Sequence, residues 1–271
     1  MSTAGAYESS DGNGGASGGR LAGKVCVVTG ATGMAADAAR RFAAEGAHVF
    51  VVAADPGQCQ ALGLPYAVAD LRDEAATEAA FAAARRAHRR IDALYAVAGA
   101  SGRPLGDGPA HELSLAAWEG TLALNATPAF LAAREALRAM LDQEPGPSGS
   151  RGSLVLMSSV LADRPEPTRF ATHAYAAAKA ATVGLVRAMA AYYGGRAIRV
   201  NALAPALVRT PMSARAAADP ASVALAGRRQ PLVGGFLEPA DVTEAAVYLC
   251  SDESRAVTGQ VLAVDGGWTV T

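Results

Sequence analysis

The chain has 271 residues, 51% of them hydrophobic, and a formal net charge of −1. Its length fits one α/β domain of roughly 200–250 residues plus a tail, and its charge argues against a general nucleic-acid-binding protein. The sequence contains no apolar run of the roughly 18 residues that span a bilayer, so we expect no membrane partner.

The N-terminal segment differs in composition from the rest of the chain. Residues 1–20 are rich in Gly, Ser and Asp and contain too little apolar surface to order themselves. We therefore predict a disordered tail at 1–20 and a single domain at 21–271. The tail lacks the apolar centre of a signal peptide, so we expect a cytoplasmic protein.

The three cysteines, Cys26, Cys59 and Cys250, are odd in number and far apart. This spacing fits neither a disulfide framework nor a zinc site. We predict reduced thiols and no metal.

Short apolar runs alternate with Ala-, Arg- and Glu-rich segments along the rest of the chain. The predicted strands are Lys24–Thr29, His48–Ala53, Tyr66–Ala69, Ala93–Ala98, Ser153–Met157, Arg199–Leu203 and Val261–Val264. The predicted helices are Ala35–Glu45, Glu74–Arg90, Leu115–Leu141, His173–Tyr193 and Pro239–Ser251. Unalternated apolar strands separated by helices predict a doubly wound, Rossmann-type α/β fold. Its mostly parallel seven-stranded sheet would carry helices on both faces, as a three-layer sandwich. Prolines in 206–237 predict a partly helical excursion there.

The first predicted strand enters its helix through a glycine-containing turn, Thr29–Ala36. Such glycines permit a tight turn and close approach of a pyrophosphate, and the helix N-terminus offers free N–H groups. Two glycines also occur in ordinary turns, but the position after the first strand favours a dinucleotide site. The predicted binding residues are Gly30, Thr32, Gly33 and Met34.

The second predicted strand ends at Ala53 and is followed by Ala54 and Asp55. An acidic residue roughly 20 positions after the glycines binds the ribose 2′-hydroxyl and repels a 2′-phosphate, and Asp55 fits this role loosely. The glycine turn has no Lys or Arg to bind a phosphate. We expect NAD as the cofactor, with NADP as the alternative.

Tyr175 and Lys179 lie four residues apart in an alanine-rich predicted helix, which puts them on one face. An ammonium near a phenol lowers the phenol's pKa from about 10. A Tyr of this kind can act as a general acid in ketone reduction or a general base in alcohol oxidation. The alternative is a packed Tyr beside a surface Lys.

Several further motifs occur in the order typical of one family. They are Asp70, Asn125, Ser158–Ser159, Asn201–Pro205, Val208–Pro211 and Asp265–Gly267. Together with the glycine turn and the Tyr175–Lys179 pair, they resemble the single-domain branch of the short-chain dehydrogenase/reductase family. The similarity covers roughly residues 21–268.

The resemblance implies roles for four residues. Tyr175 corresponds to the proton donor or acceptor, and Ser159 to the residue that hydrogen-bonds the substrate oxygen. Lys179 corresponds to the group that binds the nicotinamide ribose, and Asn125 to the residue whose backbone holds a water in the proton relay. The structural alternatives are a turn or N-cap for Ser159 and a polar helix-interior residue for Asn125.

The resemblance also implies cofactor contacts and an assembly. Asp70 and Leu71 would lie near the adenine, although Asp70 could instead cap a helix. The remaining implied cofactor contacts are Ala98, Gly99, Tyr175, Lys179, Pro205, Val208 and Thr210. A homotetramer or homodimer is expected.

Three departures from the family pattern stand out. The glycine turn is one residue shorter than is usual in this branch. Ala96–Gly99 replaces the family's Asn-Asn-Ala-Gly, so we expect local repacking. The segment Leu161–Thr172 is longer than usual and could present Arg164, Arg169 or Phe170 to the substrate, or be a solvated loop.

The sequence thus predicts hydride transfer between a nicotinamide dinucleotide and a ketone or secondary alcohol of a small molecule. The alternative is a catalytically silent NAD(P)-binding sensor or partner protein, which the altered glycine turn and missing Asn pair would fit. An epimerase or dehydratase is disfavoured, because the short C-terminal region leaves no substantial substrate domain.

Overall fold

A computed structural model describes residues 18–271 as one seven-stranded sheet in which every paired strand is parallel. The strands are β1 (Val25–Thr29), β2 (His48–Ala53), β3 (Tyr66–Val68), β4 (Ala93–Ala96), β5 (Gly152–Met157), β6 (Ile198–Pro205) and β7 (Val261–Val264). They lie in the order β3-β2-β1-β4-β5-β6-β7. The predicted fold is confirmed.

Eight α-helices surround this sheet in the described residues. They are α1 (Gly33–Ala44), α2 (Pro56–Ala61), α3 (Glu74–His88), α4 (Leu115–Asp142), α5 (His173–Tyr193), α6 (Ala214–Ala217), α7 (Pro220–Arg229) and α8 (Pro239–Cys250). The sequence did not predict α2, whose first turn is capped by Asp55 through the Gln58 N–H at 2.8 Å. The excursion predicted at 206–237 contains α6 and α7.

Alternate residues of each central strand enter two different cores. In β1, Val27 packs with α3, α4 and α5, whereas Cys26 and Val28 pack with α1 and α8. This follows from the two-residue period of a strand, which points successive side chains to opposite faces. All three cysteines are buried, and Cys26 lies in a strand of the core as predicted.

The order of strands reverses between β1 and β4, which are adjacent in the sheet. Their following loops diverge to opposite faces, and such a switch point opens a crevice at the carboxyl ends of the strands. Here the Thr29 hydroxyl accepts N–H groups from Val97 and Ala98 at 3.0 and 3.1 Å. The ladder of β4 therefore ends at Ala96, two residues before the predicted end at Ala98.

The predicted disordered tail falls largely on residues 1–17, outside those described. Arg20 is described, and its guanidinium forms ion pairs with Glu244 and Glu253. Within residues 18–271, no helix combines the length and apolarity needed to cross a bilayer.

Replacing Thr29 by Val should lower the free energy of unfolding. Val preserves the shape of the buried side chain but leaves two backbone N–H groups without their acceptor, which costs roughly 1–3 kcal/mol. Urea denaturation measures the loss. Thr121→Val is the matched control, because the buried Thr121 hydroxyl has no hydrogen-bond partner among residues 18–271. Equal stability changes in the two variants would contradict the anchoring role of Thr29.

Candidate active site

A cavity of about 250 Å³ opens at the carboxyl ends of β1, β4, β5 and β6. Loops following these strands form its wall, together with the first turns of α1 and α5. Most residues predicted from sequence line it, namely Gly30, Thr32, Gly33, Met34, Ala98, Gly99, Ser159, Tyr175, Lys179, Pro205, Val208 and Thr210.

The glycine turn brings an uncapped helix end to this cavity. Gly30 and Gly33 have positive φ angles of 96° and 53°, which favour glycine. A Cβ on Gly33 would lie 3.0 Å from Thr210 Cβ, so the turn packs closely against the segment after β6. The Thr32 side chain makes no capping bond, and the first turn of α1 has no acidic residue.

The next three helices differ, since Asp55, Asp73 and Ser114 cap them through side-chain oxygens. The N–H groups of the first turn of α1 are therefore left to bind something other than a side chain. A helix N-terminus beside two glycines fits a diphosphate group.

Gly99 marks a second close approach, after β4. A Cβ there would lie 2.7 Å from Asn125 Oδ1 and 3.4 Å from Lys179 Nζ. Asn125 is buried and does not line the cavity; its Nδ2 donates to the carbonyls of Ala100 and Thr121 at 2.9 and 3.0 Å. Its side chain thus holds the loop after β4, and the relay role of its backbone stays a prediction.

Tyr175, Lys179 and Ser159 lie together on the cavity wall. Lys179 Nζ lies 5.5 Å from the centre of the Tyr175 ring and donates to the Met157 carbonyl at 3.0 Å. Ser159 accepts the Leu161 N–H at 3.2 Å, so it forms a turn as well as lining the cavity. The structure brings the three predicted side chains to one place.

Burial sets the protonation of this pair. Lys179 is 3% exposed, and its burial lowers its pKa to about 8. Tyr175 is partly exposed to the cavity, yet burial raises its pKa to about 12, while the Ser159 hydroxyl acts in the opposite direction. The expectation that Lys179 lowers the Tyr175 pKa is wrong for this structure, because burial raises this pKa and only the Ser159 hydroxyl opposes the rise.

A carboxylate distant in sequence positions the start of α5. Asp107 is buried, and its oxygens accept the N–H groups of Ala174 and Tyr175 at 3.0 and 2.9 Å. Thr172, the residue before the helix, makes no side-chain capping bond. Asp107 thus acts as the N-cap from another loop. Sequence reasoning missed it, because an Asp in a glycine-rich segment carries no sign of a partner 67 residues away.

The long segment Leu161–Thr172 is folded onto the cavity. Phe170 lines the wall, whereas Arg164 and Arg169 do not. Glu166 is buried within this segment, and its carboxylate accepts the N–H groups of residues 168–170. Although burial raises the pKa of Glu166, these bonds and one from the Thr168 hydroxyl lower it overall. The carboxylate fixes the loop that carries Phe170.

Asp55, predicted to bind the ribose 2′-hydroxyl, and Asp70 and Leu71, predicted near the adenine, lie outside the cavity wall. Asp55 caps α2, and Leu71 is buried in the core. Asp70 pairs with Arg72, whose hydrogen bonds lower the pKa of Asp70 to about 2. Their predicted contacts with an adenosine stay predictions.

Several wall residues had not been singled out from the sequence. They are Ser101, Arg103, Met157, Val160, Leu161, Thr172, Leu207, Met212, Ser213, Arg215, Ala216 and Trp268. Most follow the carboxyl ends of strands, which marks their loops as candidates without indicating which side chains face inward. Within residues 18–271, no group of acidic, His and Cys residues is arranged to hold a metal ion.

Comparison with known proteins gives consistent matches over nearly the whole chain. The family model described as enoyl-(acyl carrier protein) reductase matches residues 28–269. D-threitol dehydrogenase of Mycolicibacterium smegmatis is 33% identical, over 93% of this chain and 95% of that protein. Galactitol 2-dehydrogenase (L-tagatose-forming) of Cereibacter sphaeroides is 36% identical, over 93% and 97%.

A solved structure matches equally well. It is a candidate NAD(P)-dependent gluconate 5-dehydrogenase from Beutenbergia cavernae with NADP bound at low occupancy. It is 36% identical, covers 93% of this chain and 98% of its own, and has a TM-score of 0.81.

The lowered pKa of Lys179 should appear in the pH dependence of stability. The folded protein releases this proton near pH 8, and the unfolded chain near 10.5. Between these values the unfolded state binds more protons, so the free energy of unfolding rises with pH, by up to about 3 kcal/mol. In Lys179→Met this rise should disappear.

Urea denaturation at pH 7 and pH 9.5 compares the parent with Lys179→Met. Lys24→Met is the matched control, since Lys24 is the only other lysine and forms an ion pair with Asp252. An identical pH dependence in the parent and Lys179→Met would show that burial does not shift this group.

Proposed function

This chain belongs to the short-chain dehydrogenase/reductase family, and we propose that it catalyses hydride transfer involving a ketone or secondary alcohol of a small molecule, with Tyr175 as the general acid/base. Membership of this family makes it an NAD(P)-dependent oxidoreductase acting on CH–OH groups. The observation that carries the mechanism is the grouping of Ser159, Tyr175 and Lys179 on the wall of one cavity that also contains the glycine turn.

The cavity residues fit a nicotinamide dinucleotide. The uncapped N-terminus of α1 and its glycines would hold the diphosphate, with Thr210 packed against the turn. Lys179 uses one of its three ammonium donors on Met157, which leaves two for ribose hydroxyls. When bound, the nicotinamide ring supplies or accepts the hydride.

Tyr175 and Ser159 act on the substrate oxygen. With a pKa of about 12, the phenol of Tyr175 is protonated at neutral pH and can donate its proton as negative charge develops on a carbonyl oxygen. The Ser159 hydroxyl can donate a hydrogen bond to the same oxygen. In the oxidation direction Tyr175 must first lose its proton, so oxidation should become faster as the pH rises.

The silent-sensor alternative is disfavoured. The altered residues Ala96 and Val97 leave the cavity intact, because Thr29 holds the segment after β4 in place. The Ser159 and Tyr175 hydroxyls on the cavity wall are the groups that hydride transfer needs and dinucleotide binding alone does not. The relatives described above carry the names of dehydrogenases.

We also propose a homodimer or homotetramer formed through α4 and α5. Large apolar side chains are exposed on these helices, among them Trp118, Phe130 and Tyr192. Burial of this surface against a second copy would remove it from water.

For the cofactor, we propose that NAD binds more tightly than NADP. Of the residues following β2, Asp55 would repel a 2′-phosphate, and the glycine turn has no basic residue. Calorimetric titration should give a lower Kd for NAD than for NADP, and Asp55→Asn should reduce the difference between the two Kd values. Asn can still accept the Gln58 N–H, so α2 keeps its cap while the charge is lost. Tighter binding of NADP to the parent protein would refute the proposal.

For the mechanism, Tyr175→Phe should lower turnover by roughly 10²–10⁴-fold, the usual contribution of a positioned general acid/base. Dinucleotide affinity should stay close to that of the parent, because the phenyl ring keeps its packing. A panel of ketones and secondary alcohols, followed by nicotinamide absorbance, provides the assay. Tyr66→Phe is the control, since Tyr66 lies on the edge strand β3, away from the cavity wall, and is 41% exposed. Near-parental activity of Tyr175→Phe would remove Tyr175 from the mechanism.

A further inference from the structure

Two arginines line the same cavity as the Ser159–Tyr175–Lys179 group. Arg103 follows β4, and Arg215 lies in α6 after β6. The loop after β5 carries Ser159, and β5 lies between β4 and β6 in the sheet. The two arginines therefore lie in segments that follow the two strands flanking β5.

Neither arginine has a carboxylate partner in the described part of the chain. Within residues 18–271, no Asp or Glu oxygen lies within 4.0 Å of either guanidinium. No Asp or Glu lines the cavity wall in those residues either, whereas Lys179 does. The cavity thus carries cationic side chains and no anionic one.

The two guanidinium groups repel each other. Burial, followed by the charge of Arg215, lowers the pKa of Arg103. Asp107 acts in the opposite direction, but both its oxygens already accept N–H groups at the start of α5. Like charges that interact without a counter-ion are unfavourable, and an anion bound by both would relieve the repulsion.

Both side chains also have hydrogen-bond donors to offer. A guanidinium has five N–H donors; Arg103 gives one to the Arg169 carbonyl, and Arg215 gives none to any residue within 18–271. Phe170, Met212 and Trp268 supply apolar wall around the same cavity. Partial exclusion of water by such side chains strengthens an ionic contact.

We propose that Arg103 and Arg215 bind a carboxylate group of the substrate, so that the substrate is a hydroxy acid and the product the corresponding oxo acid. Guanidinium forks match the two oxygens of a carboxylate. The assignment rests on the proposed oxidoreductase function and adds the chemical class on which it acts. The dinucleotide diphosphate is the other possible source of anionic oxygens, because Thr210, close to Arg215 in sequence, contacts the glycine turn.

The test measures binding without turnover. An oxo acid and an oxidised dinucleotide cannot react with each other, so their ternary complex forms whether or not Tyr175 is the general acid/base. Calorimetry on NAD-loaded protein compares acetoacetate, levulinate and 4-oxocyclohexanecarboxylate with their neutral carboxamides. We expect at least one acid to bind, and its carboxamide to bind roughly 10–100-fold more weakly, as loss of a charge-assisted hydrogen bond implies.

Variants identify the residues responsible. Arg215→Gln should weaken binding of the acid by roughly 10–100-fold and leave its carboxamide and NAD unaffected. Arg103→Lys keeps the charge but loses the two-pronged guanidinium, so it should weaken binding of the acid less than Arg215→Gln does. Arg209→Gln is the matched control, because Arg209 lies in the same segment but pairs with Glu238 outside the wall.

Three results would overturn the proposal. The first is equal binding of acids and carboxamides, and the second is no binding of any acid. The third is an Arg215→Gln variant that loses affinity for NAD rather than for the acid. The last would assign Arg215 to the cofactor diphosphate. Failure of the proposed oxidoreductase mechanism would instead appear as undiminished turnover in Tyr175→Phe, with acid binding unchanged.

Discussion

The two hydrogen bonds accepted by the Thr29 hydroxyl join β1 to the segment after β4 at the point where the strand order reverses. Thr29 is also the first residue of the glycine turn, and the loop that bears Gly99 begins within the bonded segment. Gly99 in turn lies so close to the Asn125 side chain that a Cβ there would clash with it. The Thr29 side chain thus fixes the position of the glycine turn relative to the Gly99 loop, which lie on the cofactor side and the reaction side of the cavity.

Burial of α5 against the sheet determines the chemistry of the site. Helical spacing puts Tyr175 and Lys179 on one face, and the packing of that face disfavours the charged form of each group. Burial thus raises the pKa of the phenol further above neutral pH and lowers the pKa of the ammonium to about 8. A protonated phenol is suited to donating a proton to a carbonyl oxygen that gains negative charge.

Buried carboxylates near the cavity bind backbone rather than ligand. Asp107 accepts two N–H groups at the start of α5, and Glu166 accepts three within the loop that carries Phe170. These two carboxylates stabilise the loops of the wall, and within residues 18–271 no Asp or Glu lines the cavity. The cavity surface is left with Arg103, Arg215 and Lys179, which is why an anion fits it better than a cation.

The sequence by itself determined the sheet, its flanking helices, the glycine turn and the Tyr175–Lys179 pair. These follow from short-range regularities: apolar runs, helical spacing, and glycines between a strand and a helix. It missed the six-residue helix α2, since a helix so short shows no periodicity. Tertiary structure alone decided that Asp107 caps α5, that Arg103 and Arg215 line one cavity, and that burial raises the pKa of Tyr175. Each of these depends on desolvation or on contacts between loops distant in sequence, and neither is encoded in local spacing.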